Sequence, residues 1–465
     1  MKADALLAQI RIACRELGMA QTTFGRLSVN DGKLVSRLGQ GSRVTLQTVE
    51  RVHAFISSHT ETTPAELIAG MGTATPRVHL ERSFRFYDNR QRYLMFVNTT
   101  SERQIVADLA IDEVAQCQPR PPALRLLDAC VGDGSALVRI LRGLHRRYPW
   151  LPFHIVGREV SAENARLMLE KMPDRFQEHP ATVLVATNMD YDEAPWLRPT
   201  DTSTVLWQTV ALKGNTAAEF EEQIIGLRTF LHHNWEHLEA GGSDSSPRRR
   251  PVALVLFRED QRFIMDAYLP RAGQARADFD MIVATQPYRA RLALNAKVND
   301  VLLPLVLALA PNGRLLGVHS HGDDPGLEII RGIWPDEDPF QTGRSSLMSA
   351  LRAKLGSAAS DFRFHKLPDA RALFQYHLHS LTYEILDSDE EITDSVLFGV
   401  WNVAAYIAQI EEVRYTAVVA DQSYLEATRA VLERHKRLWF NDEIYVVSRR
   451  NTLGRGAPVS ESWAN

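Results

Sequence analysis

Alternating apolar and polar stretches in the first half of the chain predict an α/β unit. Three short apolar runs, each of a length typical of buried strands, begin at Leu124, Phe153 and Thr182. After the first run, a turn that contains Gly132 and Gly134 precedes apolar residues at helical spacing. This part of the chain therefore predicts a strand, a glycine turn and a helix in succession.

The residues that end these predicted strands favour a nucleotide-like ligand. Open α/β sheets bind ligands at the carboxyl ends of their strands, where glycines let the backbone come close to the ligand. Asp128 and Asp133 lie beside the glycine turn, and two acids there suit a cationic or hydroxyl-rich ligand better than a bare diphosphate. Glu159 follows the second run, where a carboxylate can accept hydrogen bonds from both hydroxyls of a ribose. Polar and thioether groups that would flank an adenine ring follow the third run: Asn188, Met189 and Asp190.

The order Asp-x-x-x-Gly-Asp-Gly, an acid after the second strand and Asn-Met-Asp after the third resembles the class I S-adenosylmethionine-dependent methyltransferases over roughly residues 84–320. The resemblance implies an α/β fold with a Rossmann-like, seven-stranded sheet and S-adenosyl-L-methionine as the cofactor. It places the loop 128–134 around the methionine half of the cofactor, with Asp128 near the ammonium group and Glu159 on the ribose. The residues that it assigns to the cofactor are Asp128, Ala129, Gly132, Asp133, Gly134, Glu159, Val160, Asn188, Met189, Asp190 and, before the first strand, Tyr87.

Two other interpretations of the glycine turn remain open at this point. The same turn could serve an α/β domain that binds NAD, or it could be unrelated to any cofactor. The dinucleotide pattern Gly-x-Gly-x-x-Gly is absent, because Leu137 stands at its last position. Three ordered strand ends are a more specific signal than one glycine motif, so the methyltransferase interpretation is favoured.

A second informative stretch is the apolar run from Phe279, which ends in Gln286, Pro287 and Tyr288. By the resemblance this run is the fourth strand, and Gln-Pro-Tyr stands where amino-methylating members carry Asn-Pro-Pro-Tyr or Asp-Pro-Pro-Tyr. In those members a carbonyl accepts from the target amine and an aromatic ring stacks on a planar substrate, which aims the nitrogen at the methyl carbon. Because Gln replaces the usual Asn or Asp and one proline is missing, a nucleobase substrate does not follow.

Candidate catalytic residues follow the fourth and fifth predicted strands. We expect Gln286 and Tyr288 to contact the acceptor, and His319 or His321, which follow the next strand, to take its proton. A different register stays open, in which 205–212 and 252–257 form the fourth and fifth strands and the acceptor wall consists of Trp207 and Gln208.

The C-terminal part is rich in aromatic residues. Side chains there that would line an acceptor pocket are Tyr376, His377, Trp401 and Tyr406. The last apolar run, which begins at Trp439, would complete the sheet as a seventh, antiparallel strand.

The first 60 residues predict a bundle of four short helices. The second and third of these, joined by a tight polar turn, resemble the helix-turn-helix of bacterial repressors. The resemblance implies that the bundle contacts DNA through Lys33, Ser36, Arg37 and Arg43. The alternative is a bundle that forms a homodimer or covers the active site.

Length and composition complete the domain prediction. The 465 residues are enough for two to four domains at ~100–200 residues each. We predict a helix-turn-helix-like bundle at 1–60, a linker at 61–83 and a methyltransferase-like domain at 84–465. The last of these has an insertion at about 200–277 and a C-terminal extension from about 340.

Charge and hydropathy exclude several classes of protein. A net charge of −4 gives no global reason to expect a nucleic acid or an anionic membrane as the partner. The sequence lacks apolar runs long enough for a membrane span or a signal peptide, so we expect a cytoplasmic protein without a membrane partner. The three cysteines and the His-rich and Asp-rich loop at 319–324 match no strong metal signature, so no metal is predicted.

These features favour a methyltransferase that transfers a methyl group to an unidentified acceptor, which is more often a small molecule than a nucleic acid. One alternative is a DNA-binding transcriptional regulator whose α/β domain senses S-adenosylmethionine without catalysis. A further alternative is a nucleic-acid N-methyltransferase that receives a flipped base at Gln286 and Tyr288.

Overall fold

The computed structural model describes residues 21–29, 31–39, 90–200, 204–236, 238–239, 248–379 and 392–451, together with residues 7, 10, 14, 48, 49, 51 and 52. The chain divides into two compact units, Met1–Glu81 and Arg82–Asn465. The predicted linker at 61–83 and two predicted site residues, Arg43 and Tyr87, lie outside the described residues.

In the first unit, the helices α1 (Gln21–Val29) and α2 (Leu34–Gly39) flank a tight polar turn. The backbone amide of Asp31 donates to the carbonyl of Gly25 at 2.9 Å, and its carboxylate accepts from the amide of Lys33 at 2.9 Å. The α2 side chains that pack into a small core are Leu34, Val35 and Leu38. The side chains predicted to contact DNA are exposed: Lys33, Ser36 and Arg37. Two helices flank the turn where the sequence predicts them. The four-helix bundle, its helix-turn-helix character and DNA contact stay predictions.

The second unit contains the strands of the α/β domain. Among the described residues these are β1 (Leu124–Asp128), β2 (Phe153–Arg158), β3 (Thr182–Thr187), β4 (Leu206–Leu212), β5 (Leu238–Glu239), β6 (Arg248–Arg249), β7 (Val252–Arg258), β8 (Phe279–Thr285), β9 (Leu309–Ser320), β10 (Phe362–Phe364), β11 (Leu373–His377) and β12 (Trp439–Arg449).

Ten of these strands form one mixed sheet. Its order is β10-β12-β9-β8-β1-β2-β3-β7-β4, and β11 also pairs with β12. The five strands from β9 to β3 in this order are parallel, and β12 is antiparallel to β9 as predicted for the final strand. The predicted count of seven strands is corrected to ten, since β4, β7 and β11 extend the sheet.

The described helices of this unit cover both faces of the sheet or form a separate helical layer. They are α3 (Arg90–Thr99), α4 (Glu102–Val114), α5 (Ser135–Arg147), α6 (Ala162–Glu170), α7 (Pro173–Glu178), α8 (Ala217–Ile225), α9 (Arg228–Asn234), α10 (Arg262–Met265), α11 (Leu294–Ala296), α12 (Leu303–Leu307), α13 (Pro325–Ile333), α14 (Arg344–Leu355), α15 (Asp369–Ala372), α16 (Asp394–Ile407), α17 (Glu412–Asp421) and α18 (Ser423–His435). None of the described helices combines the length and the apolar character that a membrane span requires.

Successive side chains of a strand point to opposite faces, and the cores follow that alternation. Leu126 belongs to the core under α4, α5 and α6, whereas Leu127 belongs to the core under α12 and α14. A third core joins α3 to the C-terminal helices α13, α16 and α18. The predicted C-terminal extension therefore packs against the segment that precedes the first strand.

The sheet order decides between the two predicted registers. β8 pairs with β1 on the side opposite β2, so the register that ends in Gln286 is confirmed. The alternative register is wrong, because β7 pairs antiparallel with β3 and β4 lies beyond it at the far edge. The direction in which successive strands are added to the sheet reverses between β1 and β8. Open α/β sheets bind ligands in the crevice beyond the carboxyl ends of the strands at such a point.

Candidate active site

A cavity of about 240 Å³ lies at this point of the sheet, beyond the carboxyl ends of β1, β2, β8 and β9. Its wall includes seven of the residues predicted from the sequence: Gly132, Glu159, Val160, Gln286, Tyr288, Tyr376 and Tyr406. Three further wall residues are aromatic: Tyr93, Phe96 and Tyr191. The cavity therefore joins predicted cofactor and acceptor residues in one mostly apolar site.

A larger cavity of about 580 Å³ opens at the opposite edge of the sheet. Its wall contains Ala123, His154 and Asp278, which lie at or just before the amino-terminal ends of β1, β2 and β8. Because open α/β sheets bind ligands at the carboxyl ends, the smaller cavity is the candidate active site.

The loop after β1 fits closely against α3. Gly132 has a φ of +56°, and a Cβ on it would lie 2.6 Å from the Tyr93 hydroxyl oxygen. That hydroxyl also accepts from the backbone amide of Asp133 at 2.9 Å. The glycine is therefore required both for the left-handed backbone and for the close approach to Tyr93.

The two acids of this loop have different surroundings. Burial raises the pKa of Asp128 to about 7, although its carboxylate accepts from the amide of Cys130 at 3.2 Å. Asp133 accepts from Ser135 at the start of α5 and forms an ion pair with Lys171, and these contacts hold its pKa below the usual range although burial opposes them. Neither acid lines the cavity: Asp128 is the last residue of β1, and Asp133 accepts a hydrogen bond at the start of α5.

Glu159 is held at the end of β2 through its backbone. Its amide donates to the carbonyl of Thr187 at 2.9 Å, and its carbonyl accepts from the indole nitrogen of Trp235 at 2.9 Å. The carboxylate accepts from the amide of Ser161 at 2.8 Å, and burial raises its pKa. This geometry keeps an acceptor group in the cavity wall.

The residues after β3 differ most from the prediction. The side-chain nitrogen of Asn188 donates to the carbonyls of Trp235 and Arg250 at 2.7 and 2.9 Å. Its side-chain oxygen accepts from the amide of Val252 at 2.8 Å. Met189 packs into a small separate core, and Asp190 lies 3.5 Å from Arg158 at the surface. Neither Asn188 nor Met189 lines the cavity, so the structure does not place them beside a bound adenine.

Tyr191 occupies the wall at this position instead. The Arg158 guanidinium lies 3.8 Å from the centre of its ring, and its hydroxyl donates to the carbonyl of Pro287 at 2.6 Å. Sequence reasoning missed this residue, although an aromatic residue directly after the Asn-Met-Asp signal was visible. Tyr191 thus links the loop after β3 to the Gln-Pro-Tyr segment.

We expect Asn188→Ala to destabilise the fold without weakening cofactor binding. The change removes the buried hydrogen bonds to the carbonyl of Trp235 and from the amide of Val252, which should lower the free energy of unfolding by about 2 kcal/mol. Urea denaturation measures the first effect and calorimetric titration the second. The exposed Asn215→Ala serves as the control, and a specific loss of S-adenosylmethionine affinity in Asn188→Ala would restore Asn188 as a cofactor residue.

Gln286 has an unusual backbone conformation, with a φ of +49° directly before a proline. Its side-chain amide donates to the Asp442 carboxylate at 3.1 Å, and its carbonyl oxygen accepts from the amide of Ser320 at 3.2 Å. A non-glycine residue in the left-handed region costs free energy, and such strain is concentrated at functional sites. Gln286 lines the cavity with its orientation already determined by β9 and β12.

Tyr288 presents its ring to the cavity while its hydroxyl points into the core. The hydroxyl lies 2.9 Å from Nδ1 of His319 and 3.2 Å from the Tyr445 hydroxyl. His319 in turn lies 2.7 Å from the Glu443 carboxylate, which also accepts from Arg344 at 2.8 Å. Burial lowers the pKa of His319, which favours a neutral ring between a hydroxyl donor and a carboxylate acceptor.

These contacts correct the prediction that a histidine takes the acceptor's proton. Both ring nitrogens of His319 are already engaged, and the residue does not line the cavity. His321 is also absent from the wall and lies 3.8 Å from Glu443. His319 reaches the cavity only through Tyr288, so its role there is to position the ring.

The C-terminal aromatic residues divide into two groups. Tyr376 and Tyr406 line the cavity as predicted. Trp401 instead stacks between Tyr415 and Tyr424 in the helical layer, and His377 is also absent from the wall. Sequence reasoning missed Phe96 and Arg103, because nothing local shows that α3 and α4 reach the carboxyl edge of the sheet.

Comparison with known proteins gives only distant structural similarity. No protein-family model matches the chain, and no curated protein matches it. The cyclase SpnF is 12% identical over 74% of this chain and 81% of its own, with a TM-score of 0.30. Geranyl diphosphate methyltransferase with GPP and sinefungin is 11% identical over 74% of this chain and 77% of its own, with a TM-score of 0.28.

A third similar structure is PKMT2 from Rickettsia typhi in complex with AdoHcy. It is 11% identical and covers 74% of this chain and 53% of its own, with a TM-score of 0.26. At such TM-scores and identities, none of these similarities establishes a family or an activity for this chain.

Proposed function

We propose that this chain is an S-adenosylmethionine-dependent methyltransferase that acts on a small-molecule acceptor. The observation that carries the proposal is the convergence of three separately predicted segments on one cavity. Gly132 after β1, Glu159 after β2 and Gln286 after β8 all contribute to its wall. If the glycine turn were unrelated to a cofactor, there would be no reason for the ends of β2 and β8 to lie at the same cavity.

The residues present fit the cofactor. Gly132 lies in the cavity wall without a side chain, so the loop offers bare backbone to the methionine half. Glu159 would accept from the ribose hydroxyls, and Val160 and Tyr191 would border the adenine. Arg103 in the same wall is a candidate partner for the carboxylate of the methionine half.

The chemistry proposed for the site is in-line methyl transfer. When bound, the cofactor supplies the sulfonium methyl group. The chain's contribution is alignment of the acceptor and exclusion of water, because a displacement of this kind needs little acid-base assistance. The ring of Tyr288, held by His319 and Tyr445, would orient the acceptor, and the surrounding aromatic side chains would keep the site dry.

The test begins with calorimetric titration of the protein with S-adenosylmethionine and its demethylated product. Incubation with labelled cofactor and a metabolite extract then detects transfer. Binding followed by label in a small molecule supports the proposal, whereas label in added duplex DNA supports a nucleic-acid methyltransferase. Binding without transfer favours a sensor, and absence of binding overturns the proposal.

We expect Glu159→Gln to weaken S-adenosylmethionine binding by about tenfold or more. A charged acceptor of two ribose hydrogen bonds is replaced by a neutral one, and hydrogen bonds to charged groups contribute about 1.5–3 kcal/mol each. Calorimetric titration measures the effect. The matched control is Glu259→Gln, since Glu259 also follows a strand but is exposed and remote from the cavity wall. Equal affinities of Glu159→Gln and the unmodified chain would remove the ribose assignment.

A further inference from the structure

One end of the cavity has buried polar groups without partners. Tyr376, on β11, lines the cavity and is fully buried, and its hydroxyl has no hydrogen-bond partner. Asp442, on β12, does not itself line the cavity but is fully buried behind the wall residue Gln286. One of its carboxylate oxygens accepts from the Gln286 amide, and the other has no partner. Buried polar groups are nearly always satisfied, so these two require a group that the protein itself does not supply.

Glu102 adds a second buried carboxyl group, which lies outside the cavity wall beside the wall residue Arg103. It lies in the first turn of α4 with no exposed surface, and neither of its carboxylate oxygens has a hydrogen-bond partner. Its nearest cation is Arg103, at 3.4 Å, whose guanidinium lies in the cavity wall and whose Nε also has no partner. The ion pair therefore leaves both carboxylate oxygens of Glu102 and Nε of Arg103 without a hydrogen bond.

The charges in this group do not balance. Those described side chains whose charges act on Asp442 are Glu102, Asp324 and Arg103, with Ser320 as a hydrogen-bond donor. Asp324 is satisfied by the backbone amides of Leu327 and Asn441. Three carboxyl groups thus share one guanidinium, and a buried negative charge needs a cation.

The position of Asp442 in the sheet indicates that these polar groups lie at the end of the site that would bind the methyl acceptor. From Glu159, the order of strands runs from β2 through β1, β8 and β9 to β12, where Asp442 lies. Four strand spacings amount to about 19 Å. The ribose end and the Asp442 end are therefore opposite ends of the site, and the Gln-Pro-Tyr segment lies between them.

We propose that the acceptor is a basic amine, whose nitrogen is bound at Asp442, Glu102 and Tyr376 before methylation. This inference rests on the methyltransferase function proposed above and adds the substrate class. An ammonium group supplies the missing positive charge and several hydrogen-bond donors. The aromatic rings of Phe96, Tyr376 and Tyr406 favour the same ligand, because aromatic faces attract cations.

The carboxylate of Asp442 completes the proton balance of the reaction. The ammonium gives one proton to the Asp442 carboxylate and keeps the freed electron pair on nitrogen. That pair forms the new bond to the methyl carbon, the bond between carbon and sulfur breaks, and its electron pair stays on sulfur. A methylated ammonium and a neutral thioether leave, and Asp442 returns its proton to solvent.

The electrostatics of the buried carboxyl groups agree with this role. Burial, assisted by the charge of Glu102, raises the pKa of Asp442 well above its usual value, and burial also raises the pKa of Glu102. Without a cation these groups hold protons, and the cation must displace a proton in order to bind. Amine affinity should therefore fall as the pH decreases and protonation of Asp442 competes with the cation.

The first experiment locates the transferred methyl group. The full chain is incubated with S-adenosylmethionine that carries a deuterated methyl group and with a metabolite extract, and labelled products are identified by mass spectrometry and NMR. A deuterated methyl group on a basic nitrogen is the expected result. A methyl group on oxygen, carbon or sulfur overturns the amine proposal while the methyltransferase function survives. Cofactor binding without any product, or no binding, overturns both.

The second experiment tests the residues with the acceptor that the first one identifies. We expect Asp442→Asn to weaken binding of that amine by about tenfold or more, measured by calorimetry with the demethylated cofactor present. Affinity for the demethylated cofactor should stay within about twofold of the unmodified chain, since Asp442 lies away from the ribose end. The pH dependence of amine binding should become shallower.

Two further variants keep this test decisive if Asp442→Asn does not fold. Glu102→Gln removes the second carboxylate and should weaken amine binding in the same direction. Asp300→Asn, at an exposed position, is the matched control and should leave both affinities unchanged. Unchanged amine affinity in Asp442→Asn and Glu102→Gln would show that the two carboxyl groups only pack in the core.

Discussion

Gly132→Ala is expected to abolish S-adenosylmethionine binding, the largest functional effect that we predict. The added Cβ would lie 2.6 Å from the Tyr93 hydroxyl oxygen, and the backbone φ of +56° is a conformation that alanine adopts at a cost of about 1–2 kcal/mol. The loop must then move away from α3, into the space proposed for the methionine half. Calorimetric titration with S-adenosylmethionine measures the loss.

The chain contains a close control for this substitution. Gly356 has a φ of +57°, nearly that of Gly132, but a Cβ on it would meet nothing within 4 Å. Gly356→Ala should therefore introduce backbone strain without a side-chain clash and leave cofactor affinity unchanged. If both variants bind S-adenosylmethionine as well as the unmodified chain does, the loop after β1 is not the cofactor loop.

Glu443→Gln is expected to lower the free energy of unfolding by about 3 kcal/mol at neutral pH, the largest effect on stability. Glu443 is buried, accepts from the amide and guanidinium of Arg344, and lies 2.7 Å from His319. A neutral amide leaves Arg344 without its buried charge partner and disturbs the chain of contacts to Tyr288. Urea denaturation of both proteins measures the difference.

The pH dependence of this difference has a definite sign. Although burial opposes it, hydrogen bonds from His319 and Arg344 lower the pKa of Glu443 from 4.5 to about 2. A group whose pKa is lowered by folding stabilises the fold above its unfolded pKa and loses that contribution as the pH falls towards its folded pKa. The difference between the two proteins should be constant at neutral pH and shrink between about pH 4.5 and about pH 2.

An exposed acid on a helix provides the comparison for this second prediction. Glu433→Gln, on α18, should change stability by less than about 0.5 kcal/mol. If Glu443→Gln is as stable as Glu433→Gln, the buried contacts of Glu443 do not stabilise the fold. Methyl transfer by Glu443→Gln should fall more than cofactor affinity does, because only the Tyr288 ring loses its support.

Much of the cofactor end could be predicted from the sequence, because its signals are local. Gly132 and Glu159 each follow a short apolar run directly, and the parallel order of β1 and β2 brings both strand ends to one edge. Gln286 follows the same rule at the end of β8. The residues after β3 could not be assigned in this way, since the path of the turn decides that Asn188 faces the backbone and Tyr191 the cavity.

The acceptor end was less accessible to sequence reasoning. Arg103 comes from a helix that precedes the first strand, and Tyr376 and Asp442 come from strands 90 and 156 residues beyond Gln286 along the chain. The position of His319 after a predicted strand indicated a catalytic base. In the structure, the neighbouring strand β12 supplies Glu443 and encloses the His319 ring. Sequence spacing carries no information on such long-range contacts.

The sequence by itself determined the α/β class, the three strand ends that meet at the cavity and the helix, turn and helix of the first unit. These follow from hydrophobic periodicity and turn chemistry, which act over a few residues. The tertiary structure alone decided the ten-stranded order, the neighbours of each side chain and the buried carboxyl groups at the acceptor end. Strand pairing and burial depend on segments far apart in the chain, and burial in turn sets which charges lack a partner.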